Sequence, residues 1–111
     1  MICWERVKEL HGEIGAENFS EVVNLFLEEV EEALARLPQA TKPREICEML
    51  HFLKGCALNL GFAEFAEACL QAQARLTASQ GAEFDAAALA RCYRESKAEF
   101  LRSVPDALQA A

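Results

Sequence analysis

Residues Arg44 to Gly61 read REICEMLHFLKGCALNLG. Within this stretch Ile46, Leu50, Leu53, Ala57 and Leu60 recur at spacings of four and three, which draws one apolar stripe along an α-helix. The spacing predicts a helix over about Arg44 to Asn59. Gly61 closes it, because glycine readily takes the left-handed conformation common just past a helix end.

Outward from this helix the same periodicity returns, and nowhere is there the period-two alternation of a half-buried strand. Upstream, Phe19, Val23, Phe26, Val30, Ala33 and Leu37 predict a long helix from Ala16 or Glu17 to Leu37, closed by the loop Pro38 to Pro43. A short first helix over about Cys3 to Leu10, ending at the His11-Gly12 break, turns Val7 and Leu10 inward. Downstream, Phe65, Cys69, Ala72 and Leu76 mark a helix over Ala63 to Ala78. Leu89, Cys92, Ser96 and Phe100, helped by Phe84, mark a last one over about Glu83 to Ser103, just short of Pro105. Short loops make successive helices antiparallel. The expected fold is an all-α antiparallel four-helix bundle with a short additional N-terminal helix, one domain over residues 1–111.

Composition narrows the function classes. With 52% hydrophobic and 26% charged residues the chain is globular, and its longest uncharged run, Gly55 to Ala63, is too short to cross a membrane. The N-terminus lacks the basic start and apolar run of a secretory signal, so a cytoplasmic protein is expected. Eighteen acidic against eleven basic residues give a net charge of −7, which disfavours nucleic acid and anionic lipid as partners. Five cysteines at 3, 47, 56, 69 and 92 are odd in number and nowhere closer than nine residues, so they form neither a disulfide framework nor a CxxC metal or redox pair. They are expected to be reduced, in a monomer. The acidic face Glu28, Glu29, Glu31 and Glu32 is expected to be solvated. The chain has no glycine-rich phosphate loop, HExxH or GxSxG motif, so it cannot by itself build an ATP-using active site.

Against that background one constellation stands out. His51 lies roughly 130° around the helix from the core stripe and therefore faces water. A solvated histidine is ordinarily a plain surface residue, but its neighbours are not ordinary. Lys54, one turn on, can place an ammonium beside whatever the imidazole carries. Gly55 sits in the helix interior, where glycine costs about 1 kcal/mol relative to alanine. Because helical side chains lean towards the N-terminus, a missing side chain at this position uncovers the His51 ring. If the hairpin turns at Gly61 and Phe62, position 51 lies opposite Gln73, whose amide can hydrogen-bond the imidazole or a phosphoryl oxygen on it; the alternative is a solvated surface glutamine. Leu58, Phe52 and Cys47 are apolar beside this exposed face, either as a docking patch or as residues packed against the first helix.

The run His51-Phe52-Leu53-Lys54-Gly55-Cys56-Ala57-Leu58-Asn59-Leu60-Gly61 resembles the motif of histidine-containing phosphotransfer (HPt) domains: H-x-[IL]-K-G, a small pair, then a later glycine. Cys56 departs mildly from the usual serine, alanine or glycine, His11 matches no family position, and the family's glutamine on the following helix falls on Gln73. The resemblance implies that His51 is the phosphoacceptor, that Lys54 and Gln73 assist it, and that Gly55 gives clearance to a receiver domain. It implies a phosphocarrier rather than an enzyme, taking a phosphoryl group from the receiver domain of a hybrid sensor histidine kinase and passing it to that of a response regulator. The chain then needs no cofactor of its own, and the receiver brings its aspartates and Mg²⁺. The competing reading is an interaction module that docks receiver domains without carrying phosphate. A histidine-kinase dimerisation segment does not fit, because the Leu-Arg-Thr-Pro continuation of its histidine box does not follow His51.

Overall fold

The computed structural model describes residues 1–78 and 84–109. Among them are five α-helices and no strand: α1 (Trp4–Ile14), α2 (Ala16–Arg36), α3 (Pro43–Leu60), α4 (Ala63–Ala78) and α5 (Ala86–Gln109), with one 3-10 turn, Leu37–Gln39, after α2. The protein is an all-α bundle in which α3 and α4 make the most extensive pairing, α5 packs on α4, and α1 lies against α2, α3 and α5.

Local chemistry explains the boundaries. Pro43 occupies the first turn of α3, where its missing N–H costs nothing, and Lys42 before it is extended at φ −92° and ψ 129° as a residue preceding proline prefers. At the other end Gly61 takes φ +79°. Its N–H donates to the Leu58 carbonyl (3.3 Å) and that of Phe62 to the Ala57 carbonyl (2.8 Å), the paired bonds of a Schellman motif. The Gly61 carbonyl accepts from the Cys3 N–H at 2.6 Å, and a Cβ on Gly61 would stand 2.7 Å from the Cys3 carbonyl oxygen. Two requirements, a left-handed backbone and a close approach, thus converge on one glycine.

Two boundaries depart from expectation. α1 runs through Gly12 to Ile14 and breaks at Gly15, φ +83°, because Ile14 packs on the core and holds the last turn. α5 passes Pro105 and continues to Gln109, since Val104 and Leu108, one turn apart, both pack on the core and offset the hydrogen bond that proline removes. Its expected start at Glu83 lies outside the described residues.

The core is close to the predicted stripes. Every predicted position on α3 is buried, with Cys56 in addition. On α2, Leu27 takes the buried place expected of Phe26, which is half-buried at the edge of the core. On α4, Ala66 is buried and Ala72 only partly so; on α5, Tyr93 is buried and Cys92 is half-buried. Phe62, at the α3–α4 turn, is fully buried. Its ring stands 5.4 Å from Phe100 and 6.2 Å from Tyr93, and Tyr93 lies 5.4 Å from Phe65. This aromatic cluster pins the turn of the α3–α4 hairpin to α5, and with it the register of the two helices.

The acidic face of α2 is not wholly solvated. Glu31 Oε2 accepts hydrogen bonds from the Tyr93 hydroxyl (2.7 Å) and from Lys97 Nζ (2.6 Å), tying α2 to α5. Lys97, and then Tyr93, hold the Glu31 carboxyl below its usual range, while burial and the Glu31 bond push the Tyr93 phenol up. All five cysteines are free.

Candidate functional site

The α3 stripe that buries Leu50 and Leu53 leaves His51 on the outer side of the helix, exposed. Successive helical residues turn by about 100°, so Gly55 stands about 40° and Leu58 about 20° from the direction of His51, on the same outer face. A Cβ on Gly55 would meet nothing within 4 Å. Among the described residues nothing needs the glycine, which leaves open space on the His51 face of the helix.

The hairpin brings α4 alongside. His51, Lys54 and Gln73 line one open groove along the α3–α4 seam, together with Leu70, Ala74 and Thr77. A second groove adjoins it, lined by Arg44, Cys47, Glu48, His51 and Gln73. The proposed opposition of positions 51 and 73 is thus present, carried by the turn at Gly61 and Phe62. Lys54 is half-buried and lines the groove, as suits a long side chain that can bury its stem and keep its charged end in water. Gln73 is half-buried as well, and the Thr77 hydroxyl donates to its backbone carbonyl at 2.9 Å. Among the described residues no hydrogen bond engages the His51 imidazole, the Lys54 ammonium or the Gln73 amide. The bond from Gln73 to the imidazole is therefore not made in the protein alone, and all three polar ends are open to an arriving group.

The three apolar neighbours separate. Leu58 is exposed on the His51 face, so it is not packed against α1. Cys47 is half-buried and lines the second groove with His51. Phe52 is exposed but turned about 100° from His51, and it lines neither groove. Sequence reading passed over Leu70, exposed and beside Lys54 across the seam, and over Arg44 and Glu48, an ion pair at 3.4 Å at the far end of the second groove. A helical wheel would have found Arg44, seven residues before His51 and about 20° from it. Leu70, three before Gln73, needed the hairpin register. His11, outside this site, stacks edge-on against Phe19 with ring centroids 5.0 Å apart. Among the described residues no three histidine, cysteine or acidic side chains converge as a metal site, and no helix is long and apolar enough to cross a membrane.

Comparison with curated proteins and with solved structures gives no match. The sequence profile of the Hpt domain, in contrast, matches residues 21–111, which takes in most of α2 and all of α3, α4 and α5 with the whole groove. With a helical bundle, an exposed histidine on α3 and a match over more than four-fifths of its length, the chain belongs to the Hpt domain family, the phosphocarrier modules of phosphorelays.

Proposed function

We propose that His51 is the acceptor of the phosphoryl group, taken from an aspartyl phosphate on the receiver domain of a hybrid sensor kinase and handed to the receiver domain of a response regulator. The observation that carries this is the convergence of His51, Lys54 and Gln73 on one groove, with open space over Gly55. The unprotonated imidazole nitrogen attacks phosphorus in line; a nitrogen–phosphorus bond forms as the bond from phosphorus to the aspartyl oxygen breaks, and the aspartate leaves as a carboxylate. The Lys54 ammonium balances charge on the phosphoryl oxygens, and the Gln73 amide donates to one of them. The receiver would supply Mg²⁺, which would screen the same oxygens. Leu58 and Cys47 border the contact face, with Phe52 at most on its margin. The protein works as a monomer with no resident cofactor.

Incubation with receiver domains carrying labelled aspartyl phosphate tests this reading. Wild type takes up label. Lys54→Ala takes it up more slowly, having lost electrostatic help of about 1–3 kcal/mol but not the attacking nitrogen. His51→Gln folds normally and takes up none. Docking of a receiver domain by both wild type and His51→Gln, with label on neither, would favour a module that binds without carrying phosphate.

A further inference from the structure

Cys47 and His51 are four residues apart on α3, so their side chains rise from the same helix face with Cβ atoms about 5–6 Å apart. Both line the second groove. Two ligands at this spacing are the helical half of many zinc sites, in which paired side chains one turn apart close on the ion. A thiolate sulfur and an imidazole nitrogen suit Zn²⁺, at bond lengths of about 2.3 Å and 2.0–2.1 Å. Glu48, ion-paired with Arg44, and Gln73 also line the groove, and water completes a tetrahedral shell.

We propose that Cys47 and His51 form a two-ligand site for Zn²⁺ that blocks the phosphoacceptor. On binding, the Cys47 thiol gives its proton to solvent, Zn–S and Zn–N bonds form, and four of the six waters of the hydrated ion leave, the other two completing the tetrahedral shell. The lone pair that coordinates zinc is the one that would attack phosphorus, so the ion and the phosphoryl group exclude each other. Two protein ligands make a reversible, inhibitory site rather than a structural one, which requires four. Burial is not an obstacle, since His51 is exposed and Cys47 half-exposed. By contrast Cys69, whose thiol burial pushes up to about 12, is closed to metal. The binding claim stands on its own; the inhibition claim rests on His51 as acceptor.

The test has two arms. In the first, zinc chloride is titrated into the reduced, unphosphorylated protein against a chromophoric chelator, with no receiver domain present. One ion per chain is expected, weakened about tenfold or more in Cys47→Ser, Cys47→Ala and His51→Gln, but not in Cys3→Ser, and zinc should slow alkylation of Cys47. Failure of wild type to bind, or binding unchanged by all three substitutions at positions 47 and 51, overturns the site whatever the phosphotransfer result. In the second arm, zinc should slow transfer to wild type, while Cys47→Ser, compared with its own zinc-free rate, is spared. Equal slowing of both places the effect on the receiver and overturns the inhibition. Absence of transfer without zinc counts against His51 as acceptor and leaves the result of the first arm standing.

Discussion

At the scale of single residues, His51 and Gly55 show how a site can be built by omission. Leu50 and Leu53 are fully buried and fix the rotation of α3, which leaves His51 outward with no hydrogen-bond partner among the described residues. Gly55 then withholds the side chain that would lean over the ring. Since a Cβ there meets nothing, Gly55→Ala should stabilise the protein by up to about 1 kcal/mol, measured by denaturant unfolding, through better helix propensity. Gly55→Leu should remain folded yet slow transfer from a receiver domain, as its branched end crowds the imidazole. Transfer to Gly55→Leu at the wild-type rate would remove clearance as the reason for the glycine. His51, Lys54 and Gly55 were legible from the sequence because one helix and one angle relate them. Gln73 required the turn as well, and Leu70 was missed because its role depends on what lies across the seam.

At the scale of elements, two connections decide whether the groove exists. Gly61 ends α3, accepts from Cys3 and starts the reversal that sets position 73 beside position 51. Gly61→Ala meets a left-handed backbone, costing about 1–2 kcal/mol, and a backbone oxygen at 2.7 Å that cannot swing away. A loss of more than about 2 kcal/mol in denaturant unfolding is expected, the largest effect of alanine at any of these glycines. The second connection is Glu31, on which Tyr93 and Lys97 converge from α5. Its carboxyl is held below the usual 4.5, so the folded state prefers it charged. That stability is fully present above pH 4.5 and is lost as pH falls through the lowered value. Glu31→Gln should therefore flatten the fall in stability below about pH 4.5 compared with wild type, a small effect because the pair is partly exposed. Identical acid unfolding curves would show that the pair contributes nothing. This tie was invisible in the sequence: four glutamates in five positions read as a solvated face, and Tyr93 lay next to the stripe assigned to Cys92. Phe26 and Leu27 were confused for the same reason. Both fit a four-three pattern, and only the packing of the neighbouring helices selects Leu27.

At the scale of the whole molecule, the stripes were enough to predict an all-α bundle, because one apolar face per helix has few ways to be buried other than against others of its kind. What they did not specify was how the hairpin is anchored: Phe62 read as a loop residue, yet it is fully buried against Phe100 and Tyr93, with Phe65 in turn against Tyr93. That cluster keeps α3 and α4 in register at one end, while the groove lined by His51 opens further along the seam, so core packing and the proposed exchange of phosphate occupy different parts of the same pair of helices. Under the proposed function the partners bring the chemistry, and the sharpest consequence concerns where phosphate resides. The most direct measurement is to label the protein from a phosphorylated receiver domain and from ATP alone, then locate the phosphoryl group by mass spectrometry at neutral pH and follow its loss in acid and in base. The account predicts no label from ATP, one phosphoryl group per chain from the receiver, located on His51, lost in acid and stable in base as a phosphoramidate is. Label on any other residue, label that survives acid, or label persisting in His51→Gln would contradict it.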